Sequence, residues 1–129
     1  MLALDYGVAR TGVAVSDPTG VVARPLDIVE RAGTEAGLAR VLEIARAEGA
    51  ERIVVGLPVT LRGGRGAQVE ETERFLERLR AATPLPVESF DERFTTVLAR
   101  SADARAPEDA VAAAHLLTGY LQWKSGRPA

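Results

Sequence analysis

Short apolar runs alternate along the chain with longer stretches whose apolar positions recur every three to four residues, which is the signature of mixed strands and helices. Residues 2–6 and 11–16, "LALDY" and "TGVAVS", read as two strands joined by a glycine-containing hairpin turn. Residues 21–29 read as a third strand, with Pro25 inside it marking a sheet edge or a late start. Thr34 is placed to cap a helix reaching to about residue 48, with Leu38, Val41, Leu42 and Ala45 on one face and Gly49 as its stop. Residues 52–56, "RIVVG", form a continuous apolar run of the kind buried in a central parallel strand.

The stretch 57–66, "LPVTLRGGRG", is polar and glycine-rich and reads as a loop. A second helix is expected over 67–81, with Val69, Thr72, Phe75, Leu76 and Leu79 inward. Residues 85–90 are the fifth strand, closed by "DER" at Asp91–Arg93, and two helical stretches follow at 95–102 and 107–123. The order β-β-β-α-β-α-β-α-α predicts an α/β fold in which a hairpin meander comes first and crossover helices then deliver parallel strands. At 129 residues the chain is expected to be one domain over 1–123 with a flexible tail at 124–129.

Composition removes several classes of chemistry. There is no cysteine, so thiolate nucleophiles, disulfides and Cys-type zinc sites are excluded. No apolar run approaches the ~20 residues of a membrane helix, and the first residues lack a basic-then-apolar pattern, so a cytoplasmic protein without membrane contact is expected. A net charge of −2 gives no global pull toward polyanions. Lys124 is nonetheless the one lysine among 16 basic residues, and arginine forks suit phosphate better than ammonium points do.

Three acidic positions stand where elements end. Asp5 closes the first strand, Asp91 and Glu92 close the fifth, and Asp109 lies in the first turn of the last helix. Each has an ordinary explanation alone: a turn for Asp5, a surface pair with Arg93 for the second, a helix macrodipole for Asp109. His115 follows Asp109 by six residues, about 600° of helical rotation and so ~120° away from it, which reads as a structural histidine rather than a general base.

Together, "LALDYGVARTGVAVSD", "IVVGLPVTLRGGRGAQ", "DERFTT" and "DAVAAAHLLTGYL" resemble in order the four sequence blocks of the YqgF/RuvX family of RuvC-like Holliday junction resolvases, also described as pre-16S rRNA nucleases. The resemblance covers nearly the whole chain, from Leu2 to Leu121. It implies a ribonuclease H-like fold, with a five-stranded mixed sheet in the order 3-2-1-4-5 flanked by helices. It also implies a carboxylate cluster of Asp5, the acid of "DER" and Asp109, holding Mg²⁺ or Mn²⁺, as two ions. Hard divalent ions take oxygen ligands, and an ion pair ~4 Å apart can serve both the attacking and the leaving oxygen of a phosphodiester.

With that strand order, Glu92 lies two strand spacings, ~9.6 Å, from Asp5. The longer side chain closes that gap better, so Glu92 is the expected ligand and Asp91 its hydrogen-bonding neighbour. Gly7 is expected to give backbone clearance, and Arg10, Arg62, Arg65 and Arg93 to contact phosphates of the substrate. The loop that carries Thr60, Arg62 and Arg65 departs from the asparagine and acidic residues usual in the family. The function expected is a metal-dependent endonuclease on a four-way DNA junction or precursor rRNA, acting as a homodimer. Two other classes compete. A non-catalytic nucleic-acid-binding module would bind without metal and cleave nothing. A phosphotransferase of the actin and sugar-kinase type would hydrolyse ATP, and would need a second, duplicated domain with its own phosphate loop, for which 129 residues leave no room.

Overall fold

The computed structural model describes residues 1–16, 23–57, 67–91 and 108–125. Their elements are β1 (Leu2–Asp5), β2 (Arg10–Ser16), β3 (Ala23–Glu30), α1 (Glu35–Ala47), β4 (Ile53–Leu57), α2 (Ala67–Ala82), β5 (Val87–Asp91) and α3 (Glu108–Ser125). The strands form one sheet in the order β3-β2-β1-β4-β5. β1–β2 and β2–β3 are antiparallel, whereas β4 runs parallel to β1 and β5 parallel to β4. This is the mixed five-stranded sheet that the residue pattern and the family resemblance imply.

Both faces of the central strands are covered, which is why β1 and β4 read as unbroken apolar runs. Leu2, Leu4, Val13, Val15, Ile53 and Val55 point to a core shared with Val41, Ile44 and Ala45 of α1 and Phe75, Leu76 and Leu79 of α2. The alternate positions Ala3, Ala14, Val54 and Phe90 meet Ala113, Ala114, Leu116, Leu117 and Tyr120 of α3. Two alanines on the central strands let α3 approach closely, and α3 is itself apolar around much of its circumference, as a buried helix must be.

Several boundaries shift for identifiable reasons. β5 begins at Val87 rather than at residue 85. The Leu85 N–H is taken by Thr83 Oγ1 at 3.2 Å, and Pro86 has no N–H to give a ladder, although its carbonyl accepts from Ile53 N–H at 3.0 Å. Pro25 sits inside β3 opposite Ala14, where the β2–β3 register slips between Val13 and Ala14; β3 is an edge strand, which tolerates proline. Positions 21 and 22, expected to begin this strand, lie outside the described residues, as do the helix expected over 95–102 and Pro107.

α1 starts at Thr34, whose hydroxyl accepts from Gly37 N–H at 3.1 Å, and stops before Gly49, which takes a φ of +64° that a side chain would resist. Ile44, absent from the expected inner face, is buried with Val41 and Ala45, while Leu38 and Leu42 flank the core. The inner face of α2 is the expected one. α3 continues through Lys124 and Ser125. Among the described residues no helix is long and apolar enough to cross a membrane.

The far end of α3 is tied to the amino ends of β4 and β5. The Tyr120 hydroxyl donates to Glu88 Oε2 at 2.6 Å and accepts from Arg52 Nη1 at 3.2 Å. Arg52 also pairs with Glu88 Oε1 at 3.0 Å. Burial and the bond to Glu88 raise the Tyr120 phenol above its ordinary value, with Arg52 pulling the other way, and the bond to Tyr120 raises the Arg52 guanidinium.

Candidate active site

Asp5 is the last residue of β1, half-buried, with Gly12 of β2 opposite it in the ladder. It takes the alternate position of Ala3, on the row of the sheet that faces α3. The next residue, Tyr6, packs on the other core, where its ring stacks on Phe75 of α2 at 4.4 Å and 18°. The chain therefore leaves the sheet with one side chain committed to each face.

The turn that follows is closed by a fully buried threonine. Thr11 Oγ1 lies 3.4 Å from both the N–H and the carbonyl of Gly7, accepting from one and donating to the other. A Cβ at Gly7 would run into the Arg10 carbonyl oxygen. Closure of the hairpin itself thus calls for glycine here. Arg10 is the first residue of β2, exposed, and opposite Glu30.

A cleft of about 250 Å³ opens at this end of β1, lined by Asp5, Tyr6, Gly7, Val8, Gln68, Glu71 and Thr72. The last three come from the first two turns of α2 and were not singled out from the sequence. Topology is the signal that would have found them, because β4 lies beside β1 and the helix that follows it must begin near the end of β1. Thr72 is buried and donates to the Gln68 carbonyl at 2.8 Å.

Of the expected site residues, Asp5 and Gly7 meet in this cleft. Asp91 is the last residue of β5, paired with Leu57, and Asp109 is the second residue of α3; their side chains lie outside the described ones, as do residues Glu92, Arg93, Arg62 and Arg65 altogether. His115 is half-buried on α3 between buried Ala114 and Leu116 and is not part of the cleft lining. Among the described residues no three metal-ligating side chains come together. The donor chemistry available is all oxygen: Asp5 and Glu71 carboxylates and the Gln68 amide, a set that suits a hard divalent cation.

A carboxylate ending the central strand of a 3-2-1-4-5 mixed sheet flanked by helices defines a protein of the ribonuclease H-like class. Solved structures agree on the fold. RuvC of T. thermophilus in complex with a Holliday junction substrate superposes with a TM-score of 0.64 at 18% identity, covering 98% of this chain and 96% of that one. Fowlpox virus resolvase in complex with substrate Holliday junction DNA superposes at 0.56 and 10% identity, over 96% and 99%. The family profile "RuvX: Holliday junction resolvase" matches residues 1–123, and the chain belongs to that family. A relative from Chloroflexus aurantiacus is 39% identical over 99% of this chain and 90% of its own length, and one from Desulforudis audaxviator 42% over 98% and 97%. Both carry the description "Putative pre-16S rRNA nuclease".

Proposed function

We propose that this nuclease of the ribonuclease H-like type hydrolyses phosphodiester bonds in structured nucleic acid, a four-way DNA junction or precursor 16S rRNA, with Asp5, Glu92 and Asp109 as its metal-binding carboxylates. The observation that carries the reading is the place of Asp5: half-buried, at the end of the central strand, on the wall of a cleft open to substrate.

The choice of Glu92 over Asp91 is supported by the alternation of β5. Glu88 and Phe90 both touch Tyr120 of α3, whereas Val87 belongs to the opposite core. An alternation continued past Asp91 would give position 92 the face of Asp5, with Asp91 as a hydrogen-bonding neighbour. Asp109 is supported by the anchoring of α3 at its far end. Tyr120 is held at the amino ends of β4 and β5, and the eleven residues back to Asp109 span roughly 16 Å, comparable to the length of a five-residue strand.

Asp5, Glu92 and Asp109 would hold Mg²⁺ or Mn²⁺, as two ions, and the metal would supply activation of a water and stabilisation of the leaving oxygen. The protein's own part is to set Asp5 at the end of the central strand and to close the adjoining turn through Gly7 and Thr11. Arg10, Arg62, Arg65 and Arg93 serve as phosphate contacts, which position a strand without reading its sequence. In this reading residues 1–123 are the catalytic unit, working in the cytoplasm. A four-way junction needs two matched cuts, which favours a homodimer on that substrate.

The test is cleavage of a synthetic four-way junction, a linear duplex and a pre-rRNA 5′ fragment, each with Mn²⁺ and with chelator. Asp5→Asn abolishes metal-dependent cleavage while keeping the circular dichroism spectrum and thermal midpoint of the parent. A folded Asp5→Asn protein that cleaves like the parent overturns the site assignment, and product mapping on the three substrates identifies the substrate class.

A further inference from the structure

We propose that Arg31 is a phosphate-contact residue, part of a ledge that carries the nucleic-acid strand past the hairpin tip beside the Asp5 cleft. Arg31 follows β3 and, among the described residues, is the one non-glycine residue at positive φ, +49°. Glycine takes that conformation without a Cβ penalty and asparagine with a reduced one, so a long side chain there is the costly choice. Two backbone bonds and one from a threonine hydroxyl hold the turn. Arg31 N–H donates to the Ala9 carbonyl at 2.9 Å, and its carbonyl accepts from Thr34 N–H at 2.9 Å and Thr34 Oγ1 at 2.7 Å. The guanidinium takes part in none of these bonds and its residue is exposed. Backbone strain kept at a position where the fold gains nothing from the side chain points to a use outside the fold.

The surroundings say what that use is. The bond to Ala9 joins Arg31 to the turn whose residues Tyr6, Gly7 and Val8 line the cleft. Two residues on, Gly33 lies so close to Tyr6 that an added Cβ would stand 2.9 Å from the phenol oxygen. The turn after β1 and the turn after β3 thus meet along one rim. Its exposed side chains are Val8, which is 65% exposed, Ala9, Arg10 and Arg31, with Glu30 opposite Arg10 in the ladder. Arg10 and Arg31 bring two guanidinium groups to this rim, beside the exposed apolar tip at Val8. A strand with its scissile phosphate at Asp5 carries further phosphates at a rise of ~3.4 Å each, and a guanidinium fork binds a phosphate through two parallel bonds. Arg31 would take one of them, with Val8 against the intervening sugar.

The inference rests on the nuclease reading for the identity of the ligand, and its test is independent of cleavage. Binding of a fluorescein-labelled four-way DNA junction is followed by anisotropy in chelator over a series of salt concentrations. In Arg31→Gly the slope of log K against log salt loses about 0.9, equivalent to about eightfold weaker binding at ~0.1 M salt than counterion release would otherwise give. Its thermal midpoint stays level or rises, because the strain is relieved. Arg31→Lys keeps the slope. Should Arg31→Gly lower the midpoint, Arg31→Asn supplies the same loss of charge with a residue tolerant of the turn. A folded Arg31→Gly or Arg31→Asn protein with the parent's affinity and slope overturns the proposal, as does a parent that binds no nucleic acid at any salt. A parent that binds with an Arg31-dependent slope but cleaves no substrate overturns the nuclease reading and leaves Arg31 standing as a phosphate contact.

Discussion

Replacing Tyr120 with phenylalanine removes one oxygen from the tie between α3 and the sheet and leaves the rest in place. The ring stays buried, and its edge-on contact with Phe90 at 5.4 Å and 90° keeps its geometry. What is lost is a 2.6 Å bond to the Glu88 carboxylate and a 3.2 Å bond from Arg52. Hydrogen bonds to charged groups contribute about 1.5–3 kcal/mol. Arg52 and Glu88 side chains are 31% and 41% exposed and remain paired with each other, so water can replace part of the loss. The low end applies, about 1.5 kcal/mol, or a fall of about 5 °C in midpoint for a chain of this size.

The same tie has a pH signature. Tyr120 is raised in the folded protein, first by burial and then by its bond to Glu88, against about 10 in the unfolded chain. The folded state therefore holds the phenolic proton more tightly, and the stabilisation is complete below about pH 10 and lost as pH climbs through the raised folded value. Denaturation followed by circular dichroism across that range should show parent and Tyr120→Phe curves converging in alkali. Equal midpoints at neutral pH, or parallel curves in alkali, would refute the reasoning.

Gly7→Ala forces a methyl into the Arg10 carbonyl of a turn held at both ends by Thr11, at about 1–3 kcal/mol; urea denaturation should show a lower midpoint with an unchanged slope. Thr34→Ala removes the cap bond to Gly37 N–H and costs about 1 kcal/mol in the same assay, with Thr34→Ser recovering it. Phe75→Leu removes the stack on Tyr6, about 0.5–1.5 kcal/mol beyond the area lost, and hydrogen exchange should quicken at Gly7 and Val8, whose turn Tyr6 anchors.

Most of the fold could be read from the chain because its two periodicities are clean. Leu2, Leu4, Val13 and Val15 alternate against Ala3 and Ala14, and each set finds a different helical layer. The inner face of α2 was legible to the residue, since Val69, Thr72, Phe75, Leu76 and Leu79 follow the helical repeat without interruption. Errors fell where local chemistry beats pattern. Pro86 delays β5 because an imide cannot pair, and Thr83 diverts Leu85 into a turn. The site was legible only in part. Asp5 announces itself by standing at the end of an apolar strand, but Gln68 and Glu71 enter the cleft through the arrangement of β4 beside β1, which no local window contains. Gly7 has a steric partner of its own three residues away in the hairpin, which the pattern of residues does not display.

The proline in β3 bears on how two copies of this chain can meet. β3 is an outer strand of the sheet, and an outer strand is a template on which a second sheet could grow. Pro25 takes one donor out of the row, and the slipped register at Val13 and Ala14 bends the ribbon beside it. Growth of a continuous ten-strand sheet through β3 is thereby disfavoured, in crowded solution as in a symmetric pair. Any pairing of two copies is thereby steered toward the helices or the β5 side of the sheet, where no strand-to-strand ladder through β3 is needed.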